Sequence, residues 1–79
     1  MQVQVMLSAT LRGFVPDYDP AAGRLVELKD GATPRSICLA LGIPAEKVKI
    51  VMVDGRGAEL DDPLSGGERV ALFPPVGGG

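Results

Sequence analysis

The chain contains no histidine and only one cysteine among its 79 residues. Histidine is the commonest general base and the commonest neutral metal ligand in proteins, so most hydrolytic and metal-centred schemes lack support here. The lone Cys38 cannot form an intrachain disulfide, and a domain this small without one is typical of a reducing compartment. We therefore expect a cytoplasmic protein that is not an enzyme and in which Cys38 is a packed thiol.

Basic residues, aromatic residues and long apolar runs are also scarce. Eight Lys and Arg residues stand against ten Asp and Glu residues, and aromatic residues make up 4% of the chain. Nucleic-acid binding requires clustered cations and favours aromatic stacking, so nucleic acid is not expected as a partner. No stretch approaches the ~18 consecutive apolar residues of a membrane span, and the first residues lack the pattern of a secretory signal. We expect neither a membrane segment nor a leader.

The apolar residues, 46% of the chain, follow strand and helix patterns. Alternation and β-branched runs predict strands at Gln2–Leu7, Arg24–Lys29, Val48–Val53, Ala58–Leu60 and Arg69–Phe73. The first two strands are separated by a stretch rich in turn-forming residues, Val15 to Gly23, which predicts a hairpin with a long loop. Thr33 and Pro34 predict the start of a helix that ends at Leu41 before Gly42.

This order of elements predicts an α+β protein with a β-grasp (ubiquitin-like) fold: a mixed four- to five-stranded sheet packed on one main helix. We expect one domain over residues 1–76 and a flexible glycine tail over residues 77–79. The predicted core consists of Val3, Val5, Leu7, Val26, Leu28, Ile37, Leu41, Ile50, Met52, Val70 and Leu72.

Two pairs of adjacent residues, one acidic and one of glycines, each have a structural and a functional interpretation. Asp61 and Asp62 could bind a cation, but two adjacent carboxylates before a proline more often form an exposed loop. Gly66 and Gly67 lack the lysine and the spacing of a phosphate-binding loop, so they indicate a turn.

The C-terminus is the most informative segment of the sequence. Three glycines, Gly77 to Gly79, follow Pro74 and Pro75, whose preferred extended geometry would direct the chain away from the sheet. Such an ending can be a frayed terminus. However, glycines fit a channel too narrow for other residues, and six extended residues reach about 20 Å. The pattern favours a strip that delivers the Gly79 carboxylate to a partner's active site.

Taken together, the motifs resemble the small sulfur-carrier proteins of the MoaD/ThiS type, ubiquitin-like relatives that serve molybdopterin and thiamine biosynthesis. The resemblance covers essentially the whole chain. It rests on LSATLR at Leu7–Arg12, GAT at Gly31–Thr33, the helix end at Leu41 and Gly42, the turn at Asp54 and Gly55, and the ending with Leu64, Gly67, Glu68, Val70, Phe73, Pro74, Pro75, Val76 and Gly77–Gly79. Phe73 to Val76 are similar to the molybdopterin-synthase small subunit, whereas a triple glycine is more usual in thiamine-type carriers.

The resemblance implies a role for the tail. A ubiquitin-activating-like enzyme would adenylate the Gly79 carboxylate with ATP, and sulfur transfer would convert it to a thiocarboxylate that supplies sulfur to an acceptor synthase subunit. Gly77 and Gly78 would enter the partner's active site, and the carrier itself would hold no cofactor. A thiamine-thiazole carrier, a modifier joined to lysines and a plain interaction domain remain alternatives.

The segment Phe73, Pro74, Pro75 and Val76 is predicted to dock these partners as an apolar patch. Phe73 has a second interpretation, in which its ring closes the core. A Phe73→Ala substitution that weakens partner binding without lowering thermal stability would favour docking.

Overall fold

The structure, a computed structural model, describes residues 1–75, so the predictions made for Val76 and Gly77–Gly79 lie outside the described residues. Within that range the elements are β1 (Gln2–Leu7), a first 3-10 helix (Ala9–Phe14), β2 (Arg24–Glu27), α1 (Pro34–Leu41), a second 3-10 helix (Ala45–Lys47), β3 (Ile50–Val53), β4 (Arg56–Ala58) and β5 (Arg69–Phe73). The predicted order of strands and helix is confirmed. In the described part of the chain, no helix has the length and apolar character needed to cross a membrane.

The five strands form one mixed sheet in the order β2-β1-β5-β3-β4. β1 and β5 are parallel, and the remaining neighbours are antiparallel, including the predicted β1–β2 hairpin. The predicted fold class is therefore confirmed. Because β5 is the central strand, the chain leaves the sheet from its middle and not from an edge.

Helix α1 has the predicted bounds because both of its ends carry local stop and start signals. Pro34 occupies the first turn, and the Ser36 Oγ accepts a hydrogen bond from the Thr33 backbone N–H at 3.0 Å. At the other end Gly42 adopts a left-handed conformation with φ of 72°, which glycine tolerates without strain. The helix buries Ile37 and Cys38 against the sheet.

The core lies between α1 and one face of the sheet. Most of the predicted core residues are buried, namely Val3, Val5, Leu7, Val26, Leu28, Ile37, Val70 and Leu72. Leu41 is only partly buried, although it packs against this cluster. Alternation in β1 and β5 identified the inner residues correctly, since the polar Gln2, Gln4 and Arg69 mark the opposite face of these strands.

The predicted core-facing positions of β3 were wrong by one residue. Ile50 is 44% exposed and Met52 is half-buried, whereas Val51, which was not predicted as core, is 5% exposed. Pairing with β5 places Val51 opposite the buried Leu72 and Ile50 opposite Phe73. Both faces of this strand are apolar, so alternation could not distinguish them, and the register with β5 decides which residues face the helix.

Several local features were missed or shifted. The first 3-10 helix, which buries Leu11, was not predicted, and the buried Val15 lies at the start of the stretch predicted as a loop. The short fourth strand covers Arg56–Ala58 and not Ala58–Leu60, and β2 ends at Glu27, two residues before the predicted end. β3 starts at Ile50, two residues later than predicted, and follows a second 3-10 helix at Ala45–Lys47 that was not predicted.

Candidate functional site

The point where the chain leaves the sheet is fixed by backbone hydrogen bonds on both sides of β5. The Ser8 N–H donates to the Leu72 carbonyl oxygen at 3.2 Å, and the Lys49 N–H donates to the Phe73 carbonyl oxygen at 2.8 Å. Pro74 and Pro75 follow and have no N–H to continue the ladder. The described chain is therefore anchored through Phe73, and Pro74 and Pro75 begin the segment beyond the sheet.

Phe73 lies on the face of the sheet that does not carry the helix. Its neighbour Leu72 is fully buried in the core, and successive residues of a strand point to opposite faces. Phe73 is half-buried and stands opposite the exposed Ile50. The interpretation in which Phe73 closes the core was therefore wrong, whereas its role in docking stays a prediction.

The outer side of the sheet carries an apolar strip beside Phe73. Ala71 pairs with Met6 on one side and with Met52 on the other, and Phe73 pairs with Ile50. We call these five residues, Met6, Ile50, Met52, Ala71 and Phe73, the apolar face. All are half-buried or exposed. An apolar surface that is partly accessible to solvent is a candidate for a protein contact site.

The predicted docking residues fall into a described and an undescribed part. Phe73 belongs to the apolar face, Pro74 is half-buried and Pro75 is exposed. Val76, together with the predicted tail residues Gly77 and Gly78 and the predicted reacting residue Gly79, lies beyond the described residues. The described geometry thus places an accessible apolar surface at the root of this segment.

Cys38 lies inside the domain, away from this surface. Its side chain is 1% exposed, and burial raises the pKa of the thiol above its usual range. A buried, protonated thiol is a poor nucleophile because the thiolate is the reactive form. The prediction that Cys38 is a packed thiol is confirmed.

Asp61 and Asp62 have defined structural partners. Arg35 donates two hydrogen bonds to the Asp61 carboxylate, at 2.8 and 3.1 Å, and this pairing lowers the pKa of the Asp61 carboxyl. The Asp62 Oδ2 accepts the backbone N–H of Glu59 at 2.9 Å. Both carboxylates therefore organise the exposed loop after β4, in agreement with the structural interpretation.

The turn at Gly66 and Gly67 is closed by an acidic side chain that the sequence did not single out as structural. The two carboxylate oxygens of Glu68 accept the backbone N–H groups of Ser65 and Gly66, each at 2.6 Å. These amides are the groups that a phosphate would need, and they already face a negative charge. The turn interpretation is supported, and the phosphate-loop interpretation is not.

Comparison with known proteins gives a consistent picture. The family model described as Mut7-C ubiquitin matches residues 1–77. Small archaeal modifier protein 3 of Haloferax volcanii is 36% identical over 69 residues, which make up 87% of this chain but 64% of that protein. The chain thus spans less than two thirds of this relative's length.

Two solved structures share the fold over nearly their whole length. Small archaeal modifier protein 1 of H. volcanii has a TM-score of 0.71 and 25% identity, covering 95% of this chain and 98% of that one. A putative molybdopterin converting factor subunit 1 from Pyrococcus furiosus has a TM-score of 0.70 and 23% identity, covering 96% and 99%. With the family match, these similarities confirm the predicted resemblance and the ubiquitin-like β-grasp fold.

Proposed function

The chain belongs to the Mut7-C ubiquitin family, and we propose that it is a sulfur carrier whose Gly79 carboxylate is activated by a partner enzyme. The observation that carries this proposal is the exit of the chain from the central strand, beside the partly accessible apolar face. A segment that starts there can enter a partner while the apolar face is covered by the same partner.

The proposed chemistry takes place at one carbonyl carbon. A carboxylate oxygen of Gly79 attacks the α-phosphate of ATP, the bond to pyrophosphate breaks, and an acyl adenylate forms. The terminal sulfur of a persulfide then attacks the carbonyl carbon and AMP leaves, which gives an acyl disulfide. A second thiol breaks the sulfur–sulfur bond, leaving a thiocarboxylate on Gly79 and a disulfide between the two donor thiols.

The roles within this scheme are divided between the chain and its partners. The chain presents the reacting group: Phe73 to Val76 dock, and Gly77 and Gly78 pass through a narrow channel that residues with a Cβ atom could not enter. The adenylating partner binds ATP and supplies the catalytic residues, and the chain itself binds no cofactor. A sulfur-accepting synthase subunit then takes the thiocarboxylate.

Molybdopterin cofactor biosynthesis is the pathway we propose for this sulfur. The Phe73–Val76 segment and the similarity to a protein described as a putative molybdopterin converting factor subunit favour it. The triple glycine keeps a thiamine-thiazole carrier as the alternative. A cytoplasmic location fits either pathway.

Intact-mass measurement tests the proposal. The chain is incubated with a ubiquitin-activating-like adenylating enzyme, ATP, a persulfide donor and a free thiol, and a parallel sample omits ATP. We expect a mass increase equal to the exchange of one oxygen for one sulfur atom, only in the complete mixture. An adenylate that forms without any sulfur-containing product would contradict sulfur carriage.

A protein modifier is the second candidate, because two of the similar proteins are described as small archaeal modifiers. In that case a lysine amine of a target protein attacks the activated Gly79 carbonyl, and AMP leaves as an isopeptide bond forms. Digested cell extracts would then contain lysines that carry C-terminal remnants of this chain. Their absence from cells that express the chain would exclude this function.

A further inference from the structure

A groove of about 460 Å³ lies where the C-terminal segment begins, at Pro74 and Pro75, and is separate from the apolar face. Its lining consists of Thr10, Phe14, Lys47, Pro74 and Pro75. Phe14 and the two prolines make most of this surface apolar, and Lys47 is the one charged residue among the described residues that line it. The groove is thus an apolar recess with a single cation at its border.

The two 3-10 helices hold the walls of this groove against β5. The first follows Ser8, whose N–H is bonded to the Leu72 carbonyl, and it carries Thr10 and Phe14. The second carries Lys47, two residues before Lys49, whose N–H is bonded to the Phe73 carbonyl. Backbone hydrogen bonds to the last residues of β5 therefore fix both walls beside the exiting chain.

A partner that uses Gly79 must come close to this groove. Four residues follow Pro75, and they span at most about 14 Å when fully extended. A protein surface that encloses the Gly79 carbonyl therefore lies within that distance of Pro75, which is itself part of the groove lining. A partner that encloses the Gly79 carbonyl is therefore close enough to contact the groove with the same surface.

From this we infer that the groove receives a segment of the adenylating enzyme in which an apolar side chain lies next to a carboxylate. The inference rests on the proposed function. The apolar side chain would pack on Phe14, Pro74 and Pro75, and the carboxylate would pair with the Lys47 ammonium. Among the described residues, Lys47 makes no salt bridge. Such a pair at the border of an interface aligns the partner and rejects surfaces of the wrong charge.

ATP–pyrophosphate exchange by the purified adenylating enzyme, with this chain as the varied substrate, tests the inference. We expect Lys47→Glu to raise the KM for the chain about tenfold or more, because it places two like charges together, while kcat changes less than about twofold. Lys47→Arg keeps the positive charge and should retain most of the affinity. Lys47 is exposed, so circular dichroism should show an unchanged fold for both variants.

Lys29→Glu is the matched control. Lys29 is also exposed, but it follows β2 at the end of the sheet away from Phe73, where Glu27 pairs with Gln2. A KM that rises equally for Lys47→Glu and Lys29→Glu, or for neither, would overturn the inference while leaving the proposed function intact. If the unmodified chain supports no exchange, the proposed function fails and the inference falls with it.

Discussion

Adjacent alanine substitutions in β3 test the register that creates the apolar face. Val51→Ala removes two methyl groups from a side chain that is 5% exposed and packs on the core side. At about 0.8 kcal/mol for each buried carbon, plus the cavity left behind, the free energy of unfolding should fall by about 2 to 3 kcal/mol. Ile50→Ala removes one carbon more, but Ile50 is 44% exposed and leaves no enclosed cavity. We expect a loss of only about 1 kcal/mol, mostly from weaker strand propensity.

Urea denaturation followed by circular dichroism measures both losses. The two sites share one strand, so the effects of strand propensity largely cancel in the difference between the two variants. The loss at Val51 is a large part of the ~4 to 12 kcal/mol expected for a domain of this length. If Ile50→Ala destabilises the protein as much as Val51→Ala does, then Ile50 faces the core and the described apolar face is incorrect. A further expectation links the pair to function: Ile50→Ala should raise the KM for the adenylating enzyme, whereas Val51→Ala should leave it unchanged under folding conditions.

Three further predictions follow from other parts of the structure. Glu68→Gln should lower the free energy of unfolding by about 1 kcal/mol, because the Ser65 and Gly66 amides lose a charged acceptor; equal urea midpoints for variant and parent would contradict this. Gly23→Ala should lower the free energy of unfolding by more than about 2 kcal/mol, since Gly23 has φ of 72° and a Cβ atom would meet Met6 and the Val5 carbonyl. The melting temperature should fall accordingly, and an unchanged melting temperature would contradict the close approach of these residues. Burial raises the pKa of the Cys38 thiol in the folded protein. The stabilising contribution of the protonated thiol is therefore full below the unfolded thiol pKa of about 8.5 and is lost as pH rises through the folded pKa. Above pH ~8.5 the free energy of unfolding should decline less in Cys38→Ala than in the parent, as urea denaturation at several pH values would measure.

The sequence predicted those elements whose ends carry strong local signals. Pro34 marks the start of the helix and Gly42 its end, and polar residues or proline mark the ends of β1 and β5. The limits of these three elements were therefore predicted correctly. The 3-10 helix at Ala9–Phe14 has neither a long period nor a capping residue with a side-chain hydrogen bond. It is held by its buried Leu11 and by the contact of Ser8 with β5, and these are tertiary effects that local pattern does not reveal.

The candidate site was predicted in part for the same reason. The ending of the chain predicted a docking segment that includes Pro74 and Pro75 but left Phe73 open between core and surface, and the described structure places Phe73 on the outer face of the sheet. Ile50 and Met52 were assigned to the core because β3 is apolar on both faces, so the extent of the apolar face was missed. The sequence could not show that Lys47 and Phe14 lie near the point where the chain leaves the sheet, because only the pairing of β5 with β1 and β3 brings them together.

The central claim is that sulfur is carried by the Gly79 carbonyl carbon, and locating the sulfur atom tests it most directly. Fragmentation mass spectrometry of the chain after incubation with adenylating enzyme, ATP, persulfide donor and a free thiol assigns the added sulfur to a residue, and a Cys38→Ala variant removes the one cysteine. We predict that sulfur replaces an oxygen in the C-terminal fragment containing Gly79, to the same extent in the parent and in Cys38→Ala. Sulfur found as a persulfide on Cys38, and lost in that variant, would contradict the account.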